Sequence, residues 1–189
     1  MEFREDRRRK AFEENFEKVK KHNEEYNAGK HSFKLRTNNL ADLSSQQYLR
    51  HYVRLINSAV DENTDDYVLG DNYDTNNYPA TLDWREKGFI TPPSNQKSCG
   101  SCYAFAVTHS IEGQIFKKTA RIVSLSTQQI VDCSVEKGNH GCAGGSLRTT
   151  MKYLESSGGL MRDVEYPYTA TVSQKRVKLL FLILNIYLA

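Results

Sequence analysis

The sequence predicts an α+β chain in which helices dominate. Three observations point to the helices. Apolar residues recur at helical spacing at Phe12, Phe16 and Val19, and again at Ala104, Val107, Ile111 and Ile115. Two segments, Ser44-Ser45-Gln46-Gln47 and Ser126-Thr127-Gln128-Gln129, put a Ser three residues before a Gln, the reciprocal capping pattern that opens a helix. Gly29 and the pair Gly158-Gly159 end periodic stretches. The α+β class itself rests on a family likeness set out below.

The chain has 189 residues, 39% of them hydrophobic and 26% charged, with a formal net charge of +3. This length suits one or two domains of ~100–200 residues. It is too apolar for wholesale disorder and too poor in Gly and Pro for a fibrous protein. The charge balance excludes a strongly basic nucleic-acid binder. No apolar run reaches the ~20 residues of a membrane-spanning helix. Met1–Lys10 is charged with no apolar core behind it, so no secretory signal is visible.

Composition divides the chain into four pieces. Residues 1–54 are densely charged and contain no Pro; a helix bearing Phe12, Phe16 and Val19 is predicted there, with the three side chains in its core. A short extended piece follows at Ser32–Leu40, then a second helix from Ser44. Residues 55–76 carry Asp61, Glu62, Asp65, Asp66, Asp71 and Asp74 with no Lys or Arg, and read as a solvated linker. Residues 77–174 are punctuated by Pro and Gly. Helices are predicted there over about 101–118, from Ser126, and over about 146–156. Residues 175–189, a short basic patch and then Leu179–Leu184, resemble nothing before them.

The chemistry concentrates in four Cys: Cys99, Cys102, Cys133 and Cys142. Cys99-Gly100-Ser101-Cys102 alone could be redox-active, metal-binding or structural. Zinc asks for a second close pair, which Cys133 and Cys142, with His140 between them, do not form. A thioredoxin-like dithiol asks for an apolar strand before it, and Thr91–Gln96 reads as a loop. A pair of structural Cys explains the even count but not the flanks. The flanks suggest a nucleophile. Cys102 opens the apolar helix, where the macrodipole favours thiolate. Its backbone N–H and the side-chain amide of Gln96 could form a two-donor oxyanion hole for acyl transfer.

Asn95–Phe105, with Pro79–Arg85, Leu125–Ser134, Gly141–Gly145 and Glu165–Tyr168, resembles the papain-like cysteine peptidases, cathepsin L-type enzymes in particular. The blocks come in the family's order. Arg8, Phe12, Asn15, Val19 and Asn23 resemble the interspersed helix motif of the family's inhibitory propeptide, with Val for Ile and with Arg4 where its first Glu would fall. Asn38, Leu40 and Asp42 resemble the propeptide's second motif; Leu40 replaces an aromatic residue and Arg36 a Gly. The likeness covers about residues 4–174. It implies a papain-like fold, mostly the helical left domain, preceded by a helical propeptide, with the β-rich right domain largely missing. It divides the chain into an inhibitory propeptide (1–54), an acidic activation linker (55–76), the N-terminal part of the peptidase domain (77–174) and an unrelated tail (175–189). The tail is expected to be a read-through or frameshifted end.

The resemblance also implies roles. Cys102 is the nucleophile and Gln96 the oxyanion donor. Cys99 pairs with Cys142. Gly144 and Gly145 receive the backbone of an extended substrate, and Ser146 and Leu147 border the main specificity subsite. Tyr103 stands where the family has Trp and is expected to remain an aromatic lid beside the thiol. Cys133 is left unpaired, because Lys175 stands where its partner is expected. No cofactor or metal is implied, and the expected partners are a peptide substrate and the chain's own propeptide lying in the cleft. A monomer is expected, in the lysosome or secreted, with the true N-terminus upstream of Met1. The family's base is a His oriented by an Asn. None of His22, His31, His51, His109 and His140 matches it, and His109 lies two helical turns, ~10 Å, beyond Cys102. The implied function is that of a cysteine endopeptidase precursor working through a thioester acyl-enzyme, with this chain expected to be inactive. The alternative is a propeptide-like inhibitor or decoy of related peptidases.

Overall fold

A computed structural model of the chain describes residues 2–56 and 78–173. Most of the acidic linker and the apolar tail lie outside the described residues. The chain forms two compact units, Met1–Val53 and Arg54–Ala189.

The first unit is one long helix with a return segment. Helix α1 (Glu2–Asn27) ends as expected near Gly29, whose φ of 78° lies in the left-handed region. The returning backbone is held by polar residues of the interspersed motif. Asn15 Nδ2 donates to Ala41 O at 2.8 Å and Leu43 O at 3.0 Å. Asn23 clasps Leu35, donating to its carbonyl at 2.9 Å and accepting from its N–H at 2.8 Å. Arg8 pairs with Asp42. These bonds fix the path of residues 33–43 without covering the apolar stripe. Phe12 and Phe16, expected in the core, are 41% and 46% exposed and stack on one another with centroids 6.1 Å apart. Only the small Ala11 and Ala41 are buried among the described apolar residues of this unit. Helix α2 (Ser45–Tyr48) opens on a reciprocal box: Gln47 N donates to Ser44 Oγ, and Ser44 N to Gln47 Oε1. It continues as a π-helical turn over Leu49–Val53.

The second unit packs α3 (Cys102–Thr119), α4 (Thr127–Cys133) and α5 (Leu147–Ser157) around one core. Cys99, Tyr103, Ala104, Val107, Ile130, Val131, Tyr153 and Leu154 form that core. Short 3-10 turns at Ser134–Lys137 and Gly141–Ala143 join α4 to α5. Among the described residues there is no strand. Two isolated bridges are present, Leu55 with Gly145 (parallel) and Leu125 with Arg162 (antiparallel).

Much of the interior is polar, and most of its groups are paired, with the buried Thr108 Oγ1 an exception. Gln128 Nε2 donates to Asp132 Oδ1 and Thr171 O, while its Oε1 accepts from Thr169 N at 2.8 Å. Asp132 accepts from Ser173 N and Tyr166 Oη, both at 2.7 Å. Gln129 Nε2 donates to Tyr153 Oη and Gly159 O, and its Oε1 accepts from Met161 N. This last set corrects the second predicted capping box. Ser126 does cap α4 through Gln129 N at 3.0 Å. Gln129's amide is committed elsewhere, however, and Ser126 N donates to Met161 O instead. The side-chain amides of Gln128 and Gln129 thus help hold residues 159–173, beside the backbone bonds that join residues 124–126 to 161–163.

Candidate active site

Cys102 is the first residue of α3 and is half-buried. The residue before it, Ser101, is fully buried and makes no side-chain cap. Its hydroxyl meets Tyr168 Oη at 2.6 Å, and Tyr168 Oη donates to Gln96 O at 2.8 Å. Tyr168 has one hydrogen, which it gives to Gln96, so it accepts from Ser101. The chain Ser101–Tyr168–Gln96 fixes the loop bearing the amide donor against the start of the nucleophile's helix. Lys97, next along that loop, has φ 55°, in the left-handed region, with its N–H held by Asn95 Oδ1 at 2.8 Å.

Cys102 and Gln96 line one cavity of about 430 Å³ with Thr91, Pro92, Pro93, Ser94, Phe105 and His109. Burial holds the Cys102 thiol above its ordinary value, and the N–H groups of Tyr103 and of Cys102 itself offset only part of that rise. The helix start therefore supplies donors that favour thiolate in a partly dry site. His109, two turns away on α3, shares the cavity wall, with Nε2 3.2 Å from Ser94 Oγ and its ring 5.9 Å from that of Phe105. His140 is exposed, at the start of the Gly141–Ala143 turn.

Cys99 and Cys142 form a disulfide, with Sγ atoms 2.02 Å apart. It ties the loop before α3 to the Gly141–Gly145 segment, a link reinforced by Gly100 N donating to Cys142 O at 2.9 Å. Cys133 is free and half-buried, its thiol pushed up by burial. Gly144 and Gly145 are buried, because residues 54–56 of the same unit lie on them. Ile56 N donates to Gly145 O at 2.9 Å, Leu55 pairs with Gly145 in the parallel sense, and Arg54 Nη1 donates to Cys142 O at 3.0 Å. A Cβ at Gly144 would collide with the Arg54 carbonyl, and one at Gly145 would sit 2.7 Å from the Tyr103 ring. A stretch expected to belong to the propeptide and linker thus begins by occupying the glycine segment.

Two expectations need correction. Tyr103 is not a lid at the thiol: it is fully buried, its ring beneath Gly145 and its hydroxyl donating to Gly141 O at 3.1 Å. That burial raises its phenol to about 12. It supports the glycine segment from below and offers no surface to a substrate. Ser146 is likewise buried, at the N-cap of α5, whereas Leu147 is 43% exposed beside it.

Three residues of this site escaped the sequence reading. Asn139 is fully buried and donates to Ser134 Oγ and Thr150 Oγ1 while accepting from Ser146 N, each at 2.9 Å. It fixes the turn that presents Gly144 and Gly145. Tyr168 was visible in its motif, but its bond to Gln96 O depends on tertiary approach. Gln128 looked like part of a helix start and serves instead to anchor the loop that carries Tyr168.

Residues 78–179 match the family described as papain family cysteine protease, and residues 2–48 match the cathepsin propeptide inhibitor domain (I29). The chain is 39% identical to human cathepsin L2 over 166 residues, 86% of this chain and 48% of that protein. It is 38% identical to rat procathepsin L over 163 residues, again 86% of this chain and 48% of that one. Among solved structures, the digestive procathepsin L2 proteinase of Tenebrio molitor larval midgut superposes with a TM-score of 0.72 at 32% identity, covering 89% of this chain and 55% of that one. The chain spans about half the length of the curated relatives it matches. The helical units described above are therefore the propeptide-like and helical parts of a papain-like proenzyme fold. On the family match over its second unit, the chain belongs to the papain family of cysteine proteases.

Proposed function

We propose that the chain carries the inhibitory propeptide and the nucleophile-bearing part of a cathepsin L-type endopeptidase precursor. Its chemistry would be acyl transfer. Cys102 thiolate attacks a peptide carbonyl, the oxyanion is met by the Gln96 amide and the Cys102 N–H, and the amine departs with a proton taken from water, leaving a thioester on Cys102. The observation that carries this reading is the single cavity lined by Cys102 and Gln96 at the first turn of α3. The substrate backbone would run along Gly144 and Gly145, with Leu147 at the edge of a side-chain subsite. Residues 1–54 act as propeptide, 55–76 as the activation linker, and 77–174 as the nucleophile's domain. Tested by itself, the chain should acylate once rather than turn over, since no His in it occupies the family's base position. A lysosomal or secreted setting suits the Cys99–Cys142 bridge.

The test is the rate of thioester formation with an activated peptide ester. Gln96→Ala should slow acylation about 100-fold, the cost of one oxyanion donor. An unchanged rate would remove Gln96 from the mechanism. A second reading, inhibition of related peptidases by residues 1–56, is favoured by residues 54–56 lying on Gly144 and Gly145, with Leu55 paired to Gly145 in the parallel sense. Adding the full chain to an active cathepsin L-type enzyme tests it: submicromolar inhibition supports it, and none removes it.

A further inference from the structure

The carbonyl of Gln96 accepts from two donors of different origin. Cys99 N reaches it at 3.3 Å and closes the turn from Gln96 to Cys99, whereas Tyr168 Oη reaches it at 2.8 Å from a loop 72 residues away in the chain. The turn's own bond is the longer one. Lys97 within the turn has φ 55°, a left-handed conformation that costs any residue with a Cβ. The Gln96 side chain springs from this turn, so where its amide stands depends on how firmly the turn is fixed. Tyr168 is itself firmly held. Thr169 N, next in the chain, donates at 2.8 Å to Oε1 of the buried Gln128. The Tyr168 ring meets that of Phe105 edge-on, with centroids 4.8 Å apart.

We propose that Tyr168, through Ser101, sets the distance between the Gln96 amide and the Cys102 N–H, and with it the rate of acyl transfer. Ser101 Oγ lies 2.6 Å from Tyr168 Oη, while Cys99 O, the other acceptor within its reach, is 3.5 Å away. Burial favours the neutral phenol of Tyr168, so the hydrogen that Gln96 O accepts stays in place. Hydroxyls in series therefore join the backbone of Gln96 to the residue just before Cys102, and each bond polarises the next. One end of this chain carries the amide donor and the other adjoins the N–H donor. Such donors are effective when they stand in place before charge develops on the substrate oxygen. A shift of about 1 Å in a group of this kind can cost ~100-fold in rate. Tyr168 and Ser101 touch no substrate and act through the two donors, so they are positioning residues.

This role rests on the acyl transfer proposed for Cys102 and Gln96. Its test compares two reactions of the full chain at Cys102, each followed by peptide mass spectrometry. One is acylation by an activated peptide ester. The other is alkylation by iodoacetamide, a displacement at saturated carbon that builds no oxyanion. Tyr168→Phe keeps the ring against Phe105 and removes only the hydroxyl. It should slow acylation about tenfold, a part of the ~100-fold expected of Gln96→Ala, and leave alkylation unchanged. Ser101→Ala, which breaks the chain at its other end, should slow acylation in the same selective way. In a Gln96→Ala background neither change should cost more, because both act through that amide. Acylation at the parent rate in either single variant overturns the role, as does a further loss in the Gln96→Ala background. Equal slowing of acylation and alkylation overturns it too, since the hydroxyls would then support the nucleophile's helix as a whole. A parent rate in Gln96→Ala removes the oxyanion hole itself. A slow Gln96→Ala beside an unaffected Tyr168→Phe leaves that chemistry standing and removes only Tyr168.

Discussion

The two units use the same device under opposite conditions. In the first, Asn15, Asn23 and His22 bond the backbone of a returning segment across largely solvated surface. In the second, Gln128, Gln129 and Asn139 bond loops from positions almost wholly sealed from water. A net hydrogen bond contributes about 0.5–1.5 kcal/mol in either place, but a buried group stripped of its partner costs a further ~1–3 kcal/mol. The same amide is therefore a modest clasp in one unit and a requirement in the other. Only the second unit adds a covalent link.

The largest effect expected from breaking this contrast is loss of that link. Cys99 and Cys142 are 43 residues apart, and opening such a loop should cost about 4 kcal/mol in urea unfolding of a Cys99→Ser/Cys142→Ser double variant. A cost no larger than that of a surface substitution would mean that the hydrogen bonds alone hold residues 141–145. Next comes Gln128→Ala, which strands Thr169 N, Thr171 O and part of Asp132. We expect about 3 kcal/mol and loss of hydrogen-exchange protection confined to residues 169–173. Equal exchange in the variant would show that the loop holds itself. The smallest is Asn23→Ala. Water can replace the lost partner of Leu35, so the cost should be about 1 kcal/mol, read as faster exchange at Leu35 alone. A loss as large as that of Gln128→Ala would erase the distinction between the units.

What could be read from the sequence follows the same division. Periodic apolar spacing placed α1 and α3, the Gly158-Gly159 stop marked the end of α5, and the Ser44 box formed with both of its bonds. The Ser126 box formed by half because Gln129 is claimed by Tyr153, Gly159 and Met161, partners that only the folded chain brings near. The apolar stripe of α1 gave the right helix and the wrong burial, since periodicity reports a face and not what covers it. Cys102 and Gln96 were proposed from their local order in the chain and the two glycines from the family resemblance, and the structure places Cys102 and Gln96 on one cavity. Asn139 was not legible, because an Asn in a turn is ordinary on any surface and its bonds to Ser134, Ser146 and Thr150 form only once the turn folds. The bond from Tyr168 to Gln96 was not, because it joins positions distant in sequence.

The proposed acyl-transfer site at the first turn of α3 stands or falls on Cys102. Its most direct test is to incubate the full chain with an activated peptide ester and locate the adduct by mass spectrometry. One acyl group per chain is expected, held as a thioester on Cys102, with none in Cys102→Ala and no comparable adduct on Cys133. Acylation spread equally over Cys102 and Cys133, or persisting undiminished in Cys102→Ala, would contradict it.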